Sequence, residues 1–333
     1  MTETPDVRSQ MMQMITGYWT TQIVRGAAHL SLAEHLDHGT ITAAEIAEAE
    51  GISHDACARL LQACAGLGLV RAEGERFAAT ELLQTLRAGP NSLRGWALCQ
   101  AAPGHWLPWG RFLDALRSGE RQTLGTLGAE IFEYYKTVPD EAAAFTEAMT
   151  GMTGIVSAEV ARLLETTPYT KAVDVGGAAG AFVQTLLLHN PKLEGIVFDL
   201  PNVVESANPA EIPELANRIQ FAGGDFLQQV PAGDLYLLKW ILHNWSDDDC
   251  LTILRNCRRA ALPGARLVVV EQLLEPEASS PFTPLMDLNM LVMLTGRERT
   301  LPEYQKLFSE AGFGSIEVTR TNSPMMLLTA DAV

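Results

Sequence analysis

The sequence is poor in cationic residues. Its 333 residues include 24 Lys and Arg against 40 Asp and Glu, so the formal net charge at pH 7 is −16. Proteins that bind nucleic acids or anionic membrane surfaces need a basic face for that purpose. The composition therefore predicts that neither is a partner of this protein, and it leaves the chemistry open.

Cysteines and targeting segments are equally scarce. The five cysteines are an odd number without metal-site spacing, and Cys57/Cys64 and Cys250/Cys257 each lie seven residues apart, on one helix face. We expect buried free thiols and no metal. No apolar run is long enough to span a membrane. The N-terminus lacks the basic and apolar parts of a signal peptide, so the expected location is a reducing cytoplasm.

The chain also lacks the glycine spacing of a dinucleotide loop. The apolar run Ala172–Val175 predicts a strand that enters a turn at Gly176 and Gly177, but Ala178 and Ala179 stand where a spaced glycine would fall. No Lys follows to reach phosphates, which excludes a P-loop. The turn suits a nucleoside cofactor without phosphates, such as S-adenosylmethionine, and a tight turn without any ligand is the alternative.

Hydrophobic patterns divide the chain into two domains, residues 1–150 and 151–333. The first is mainly helical, and residues 40–82 predict a winged helix-turn-helix that opens with the capping box Thr42–Glu45. The second predicts a Rossmann-like, doubly wound, mostly parallel seven-stranded sheet with ligands at the strand C-termini. The predicted strands are Ala172–Val175, Gly195–Phe198, Ile219–Ala222, Leu235–Leu238 and Arg266–Val270, closed by the antiparallel pair Ser315–Arg320 and Met325–Thr329.

The winged helix raises the alternative of a transcription regulator. Acidic residues outnumber basic ones in this element, and such a surface repels phosphate. The pattern therefore favours packing and dimerisation over DNA binding. Large apolar side chains within Met11–Leu36 also need a cover, which a partner subunit would provide.

Polar residues follow several of the predicted strands. Asp199 ends the second strand, where an acid can hold both hydroxyls of a ribose. Asp225 and Phe226 follow the third strand, where they can bind an adenine amine and cover the ring. His243 lies just past the fourth strand, on the ligand side of the sheet, and its ordinary pKa of about 6.5 suits a general base.

Two carboxylates are candidates to hold the second nitrogen of His243. Glu271 ends the fifth strand and Glu303 lies at a predicted helix start, where a helix-dipole role is its alternative. Ser246 predicts a helix cap, and the dipole alone accounts for the three aspartates that follow, 247–249.

Together these motifs resemble class I S-adenosylmethionine-dependent O-methyltransferases of the caffeate/acetylserotonin type, whose bacterial relatives act on polyketide and phenazine hydroxyls. The resemblance spans essentially the whole chain. It implies a homodimeric enzyme of bacterial specialised metabolism that methylates an aromatic hydroxyl. Relatives that hydroxylate, decarboxylate or perform pericyclic chemistry leave a changed reaction open. The motifs are Asp174–Gly180, Phe198–Pro201, Gly224–Phe226, Leu242–Ser246 and Gly296–Thr300.

The resemblance also implies roles for individual residues. His243 is the expected general base, with Glu271 and Glu303 as its supports. The predicted contacts to S-adenosylmethionine, which leaves as S-adenosylhomocysteine, are Asp174, Gly176, Gly177, Asp199, Leu200, Gly224, Asp225, Phe226, Lys239 and Trp240.

Substrate contacts are the least specific part of the prediction. Met286, Met290 and Met293 share a helix face that could grip an aromatic ring, with core packing as the alternative. Met149, Trp106 and Asn244 complete the predicted set. The family commonly has a glycine at position 178, where alanine is tolerable if φ is negative, and Asp at position 244.

Overall fold

The computed structural model describes residues 6–89, 91–206, 213–275 and 280–333. The chain forms two compact units, one of residues 1–106 with 138–152 and the other of residues 107–137 with 153–333. The unit boundaries after residues 106 and 152 fall inside helices, and the boundary after residue 137 falls between two helices. Among the described residues, no helix combines the length and the apolar character needed to cross a bilayer.

The first unit contains a three-stranded antiparallel sheet, in the order β1-β3-β2, among helices. Thr42 and Glu45 form the predicted capping box, and Ser53 caps the following helix. Ile46, Leu61 and Phe77 lie in the core of this winged helix. The elements from the start of the chain to α8, which ends in the second unit, are α1 (Val7–Ile15), α2 (Gly17–His29), α3 (Leu32–His35), β1 (Ile41–Thr42), α4 (Ala43–Glu50), α5 (His54–Gly66), β2 (Val70–Glu73), β3 (Arg76–Ala79), α6 (Glu81–Gln84), α7 (Arg94–Gln100) and α8 (Pro103–Trp109).

The second unit alternates strands and helices. The helix α12 begins in the first unit and ends in the second. The elements from α9 onward are α9 (Phe112–Ser118), α10 (Thr123–Leu127), α11 (Ile131–Thr137), α12 (Pro139–Leu163), β4 (Lys171–Val175), α13 (Ala181–His189), β5 (Glu194–Asp199), α14 (Pro201–Ser206), β6 (Ile219–Gly223), β7 (Gly233–Lys239), α15 (Asp247–Ala260), β8 (Ala261–Gln272), α16 (Phe282–Met293), α17 (Leu301–Ala311), β9 (Glu317–Arg320) and β10 (Met325–Asp331).

Among the described residues, these strands form one seven-stranded sheet in the order β6-β5-β4-β7-β8-β10-β9. The first five are parallel, while β10 runs antiparallel to both β8 and β9. The predicted fold class is confirmed. The chain builds outward from β4 to β6 and then returns to place β7 on the other side of β4. This reversal opens a crevice at the C-terminal ends of β4 and β7, where ligands bind in open α/β sheets.

One face of the sheet is covered by α15 and α17. Cys250 and Cys257 from α15 and Tyr304 and Phe308 from α17 lie in this core, each fully buried. The five cysteines are buried free thiols, as the sequence predicts. The packing anchors the segments that follow β7 and precede α17, and both of these segments belong to the candidate site.

Candidate active site

The turn after β4 lies at the crevice and contains three left-handed residues. Gly176 has φ 71°, Ala178 has φ 49°, and Gly180 has φ 82° at the N-cap of α13. The Ala178 N–H donates to Oδ2 of Asp199 at 2.8 Å. The turn is therefore tied to the tip of β5, which carries the acid predicted to hold a ribose.

The backbone φ angle of Ala178 is not the negative one for which the sequence analysis considered alanine tolerable. A negative φ would make alanine acceptable there, but the observed φ is positive. A Cβ atom in the left-handed region meets the following carbonyl, at a cost of about 1–2 kcal/mol. The hydrogen bond to Asp199 compensates part of that strain.

Close packing explains the glycines around the crevice. A Cβ on Gly177 would lie 2.8 Å from the carboxyl carbon of Asp174, and one on Gly224 would lie 2.5 Å from the ring of Phe198. A Cβ on Gly176 would overlap Cδ1 of Ile241, only two residues before His243. The turn after β4 therefore contacts the segment that carries the candidate base.

Asp174 supports the glycine turn from below. Its Oδ2 accepts from the N–H of Val183 at 3.2 Å, and it is 2% exposed. Burial raises the pKa of Asp174 to about 7, while the hydrogen bond and the charge of Lys239 oppose that shift. Its position beneath Gly177 makes it a brace for the backbone that a cofactor would contact.

The tips of β5 and β6 bring the other predicted cofactor residues together. Oδ1 of Asp199 accepts from the N–H of Leu200 at 2.7 Å, and the N–H of Gly224 donates to the Asp199 carbonyl. Oδ1 of Asp225 accepts from the N–H of Leu227, and the ring of Phe226 meets Trp245 edge to face. Burial raises the pKa of Asp199. Its carboxylate accepts hydrogen bonds, as a ribose requires.

The residues present fit S-adenosylmethionine. The glycines expose backbone where side chains would collide, and an acid stands at the tip of the neighbouring strand. Among the residues that the structure describes, no cluster of cations accompanies them, which matches a nucleoside without phosphates. The cofactor would be held by the turn after β4, by Asp199 and by the Asp225–Phe226 pair.

The end of β7 carries Lys239 and Trp240. The Lys239 ammonium lies 4.7 Å from the centroid of the Trp240 ring, and that ring stacks on the His243 imidazole at 6.1 Å. Burial lowers the pKa of Lys239 to about 8, against the charges of Asp174 and Glu271. Trp240 has a positive φ of 55°, which turns the chain sharply from the strand toward His243.

His243 sits in a short 3-10 turn, Leu242–Asn244, and is 5% exposed. Its Nδ1 lies 2.8 Å from Oε1 of Glu298 and 3.9 Å from Oε2 of Glu271. Burial alone lowers the pKa of His243, but the charges of Glu271 and Glu298 outweigh burial and raise it overall.

Glu271 reaches the same turn through the backbone. Its Oε1 accepts from the N–H of Ile241 at 3.0 Å and from the N–H of His243 at 3.4 Å. Burial raises the pKa of Glu271, and its proximity to Glu298 adds to that effect. The predicted placement of Glu271 beside His243 is thus observed, but the closest contact to the ring comes from another glutamate.

Glu303, the other predicted support, does not reach the imidazole. Its Oε2 accepts from the N–H and the hydroxyl of Thr300, and its Oε1 accepts from Arg297. The expected position is therefore corrected: Glu303 closes the capping box of α17, and Glu298 occupies the place at Nδ1 of His243. The signature Thr-x-x-Glu at residues 300–303 already indicated the capping box.

Sequence reasoning also missed Arg299, although the motif Gly296–Thr300 contains both it and Glu298. Arg299 is fully buried and bonds Asp247. Asp247 also pairs with Arg297. The sequence suggested that the helix dipole alone accounts for Asp247, and these ion pairs show a further role. The predicted cap of α15 by Ser246 is observed.

The helix α16 is fastened to the site at two points one turn apart. The Thr283 hydroxyl donates to Oε1 of Gln272, the residue after Glu271, and Asp287 accepts from the N–H of Glu298. The three predicted methionines of this helix, Met286, Met290 and Met293, are each at most 5% exposed. Their contact with a substrate stays a prediction.

Asn244, Trp106 and Met149 are the remaining predicted substrate residues. The Asn244 amide donates to the carbonyl of Trp240 at 2.9 Å, a bond that the family's Asp could not donate. Trp106 and Met149 are half-buried residues of the first compact unit. Their part in substrate binding stays a prediction.

The O-methyltransferase domain family matches residues 109–314, and the O-methyltransferase dimerisation domain family matches residues 12–88. Phenazine O-methyltransferase PhzM of Lysobacter antibioticus is 34% identical over 328 residues, which cover 97% of this chain and 95% of that protein. A 3-amino-4-hydroxybenzoate 4-O-methyltransferase of Streptomyces cremeus is 33% identical over 322 residues, with coverages of 95% and 88%. The crystal structure of human N-acetylserotonin methyltransferase in complex with S-adenosylmethionine has a TM-score of 0.91, at 27% identity and 99% coverage of both chains.

Proposed function

The chain belongs to the O-methyltransferase family, and from that premise we propose that it methylates a hydroxyl group of an aromatic small molecule, with His243 as general base. The methyl donor is S-adenosylmethionine, the cofactor of its relatives. The relatives that act on phenazines and on aminohydroxybenzoate support an aromatic acceptor and a role in bacterial specialised metabolism.

The observation that carries the proposal is the position of His243. It lies past the C-terminal end of β7, beside the glycine turn of β4, where the sheet order reverses. Nδ1 faces Glu298 at 2.8 Å, so a tautomer with the proton on Nδ1 donates to that carboxylate. Nε2 then carries the lone pair and can accept the proton of an acceptor hydroxyl.

The two carboxylates strengthen this base. A phenol has a pKa near 10, so proton transfer to an ordinary imidazole is uphill. Glu271 and Glu298 stabilise the imidazolium as it forms, which is the same effect that raises the pKa of His243. General-base assistance of this kind is worth about 10²–10⁴-fold in rate.

The sulfonium of S-adenosylmethionine supplies an activated methyl group when it is bound. The carbon–sulfur bond breaks as the oxygen–carbon bond forms, and the hydroxyl proton passes to Nε2 of His243. The chain must therefore align the acceptor oxygen and exclude water. The buried methionine face of α16 and the 5% exposure of His243 suit an apolar, enclosed acceptor site.

The test is formation of S-adenosylhomocysteine by the purified protein with a panel of hydroxylated aromatic compounds. His243→Ala should retain cofactor binding in a calorimetric titration and lower turnover at least tenfold on an unactivated phenol. Asp199→Ala should instead weaken cofactor binding. Unchanged turnover in His243→Ala would remove this residue from the mechanism, and S-adenosylmethionine consumption without methylated product would favour a changed reaction.

A homodimer and a cytoplasmic location complete the proposal. The dimerisation-domain match and the exposed apolar side chains of α1 and α2 support the dimer. The free thiols support a reducing compartment.

A further inference from the structure

We propose that Arg299 is a positioning residue, which sets the location of His243 by gripping the backbone on both sides of it. The inference rests on the proposed role of His243 as the base. Arg299 would not touch the substrate, the cofactor or the imidazole. It would act only through the turn that carries the imidazole.

The contacts of Arg299 bracket His243. Its Nη1 donates to the carbonyl of Leu242 at 2.9 Å, and its Nη2 donates to the carbonyl of Trp245 at 2.8 Å. These two carbonyls belong to the residue just before His243 and to the second residue after it. A single planar guanidinium therefore fixes both ends of the short turn.

The guanidinium is itself held rigidly. Arg299 is 0% exposed, and Nε and Nη2 both bond Oδ1 of Asp247, the first residue of α15. On the backbone side, the N–H of Leu274 donates to the Arg299 carbonyl at 3.0 Å, just past the end of β8. Arg299 thus connects the sheet and α15 to the turn between them.

The neighbouring residue, Glu298, holds the ring of the same histidine at Nδ1. One dipeptide therefore controls both the backbone and the side chain of His243. Its approach depends on Gly296, because a Cβ there would overlap the His243 carbonyl oxygen. Such a double grip exceeds what a simple structural ion pair with Asp247 needs.

Arginine suits this task better than lysine does. Its guanidinium presents five N–H donors in a fixed plane, whereas the lysine ammonium has three donors on a flexible stem. An ammonium at this position cannot serve both carbonyls and Asp247 in the observed directions. The Arg299→Lys variant would keep the positive charge but lose the simultaneous hydrogen bonds to the carbonyls of Leu242 and Trp245.

Among the described residues, the charged groups that act on the pKa of His243 are Glu271 on β8, Glu298 before α17 and Lys239 at the end of β7. The two glutamates favour the imidazolium. A loosened turn would separate His243 from them, so the acid limb of the pH profile for kcat/KM should move to lower pH.

The experiment compares Arg299→Lys with Arg297→Lys. Arg297 is a matched control, since it also pairs with Asp247, but its other side-chain partner is Glu303. We expect Arg299→Lys to lower kcat about tenfold, keep KM for S-adenosylmethionine within about twofold, and shift the acid limb downward. Arg297→Lys should match the wild type in all three measurements.

Asp247→Asn provides a milder variant in case Arg299→Lys does not fold. It keeps the guanidinium but weakens its anchor, and we expect about a threefold loss of kcat with the same shift of the acid limb. A wild-type kcat and pH profile in either folded variant, with only a lower melting temperature, would reduce Arg299 to a structural role and overturn the proposal. If His243→Ala is also fully active, the proposed base fails first.

Discussion

A histidine between two buried carboxylates is a stronger base than a free one, but it is also more often protonated. Glu271 and Glu298 raise the pKa of His243 because they stabilise the imidazolium. The neutral form that the proposed general base requires therefore accumulates only as the pH rises through that elevated pKa. We expect the acid limb of kcat/KM to lie above the ordinary histidine value of about 6.5.

Glu298→Gln tests this at the level of one residue. The change removes the charge at Nδ1, so the pKa of His243 should fall and the acid limb should move to lower pH. Loss of a charged hydrogen bond worth about 1.5–3 kcal/mol should lower kcat at high pH about tenfold or more. Initial rates of S-adenosylhomocysteine formation across a pH series provide the measurement.

Glu303→Gln is the control, because glutamine can still complete the capping box with Thr300. It should change kcat by less than twofold. The opposite ranking of the two variants would restore Glu303 to the role that the sequence suggested.

The strain at Ala178 leads to a second prediction. Ala178→Gly should relieve a left-handed alanine worth about 1–2 kcal/mol, offset by about 0.5–1 kcal/mol of unfolded-chain entropy. We expect stabilisation of up to about 1.5 kcal/mol in urea unfolding. Ala179→Gly increases the conformational entropy of the unfolded chain but relieves no strain, since Ala179 has no positive φ. It should therefore destabilise the protein. Glycine keeps the backbone N–H that donates to Asp199, so a less stable Ala178→Gly protein would show that the left-handed alanine costs less than the entropy of the glycine.

The positions of Glu298 and Glu303 show which part of the site could not be predicted from the sequence. Glu271 was predictable, because a residue at the tip of a central strand has a known edge and direction. The segment 294–299 forms no helix and no extended strand, so the directions of its side chains cannot be predicted from a regular repeat. Only its tertiary contacts determine which glutamate meets the imidazole ring. The left-handed φ of Ala178 could not be predicted either, because alanine rarely adopts that conformation.

At the scale of elements, the site is an arrangement of strand ends held by irregular segments. The five parallel strands were predictable from short buried apolar runs with turns at both ends. The β8 strand begins at Ala261, five residues before the predicted start at Arg266. The prediction missed these residues because several of them are exposed, including Pro263 and Gly264. Exposed strand residues lack the apolar signal on which the prediction depends.

Gly296 tests how closely the segment before α17 must approach the His243 turn. A Cβ there would overlap the backbone of His243, Asn244 and Trp245. We expect Gly296→Ala to displace the turn and to lower kcat by more than tenfold, since a misplacement of about 1 Å can cost about 10²-fold.

Gly264→Ala is the contrasting control. Gly264 has a φ of 78° but open space around its Cα, so alanine there should cost stability without changing kcat. Measuring both unfolding and turnover separates the two effects. A fully active Gly296→Ala protein would mean that the turn can yield without disturbing the base.

For the whole molecule, the charge of −16 and the exposed apolar residues of the N-terminal helices point in different directions. The charge keeps protein molecules apart, while Met11, Met14, Ile15 and Trp19 are each at least 56% exposed. A monomer rarely leaves so many large apolar side chains in water. The dimer proposed above would bury them.

The double variant Ile15→Asp/Trp19→Asp should therefore shift the protein toward monomer in analytical ultracentrifugation. Burying a new charge in an interface is costly unless it is paired. Leu188→Asp on α13, where Leu188 is 49% exposed, is the control and should leave the sedimentation unchanged. Equal sedimentation of the double variant and the wild type would place the subunit contact elsewhere.

The adjacency of Glu298 and Arg299 limits how this enzyme can diversify. An insertion or deletion between α16 and α17 would shift both residues at once and release the histidine, so the length of that segment is constrained. Substitutions on the apolar face of α16, the proposed acceptor side, would alter the acceptor site without changing that length. Variants selected for new acceptors should accumulate there, and length changes in the segment should be absent from the active ones.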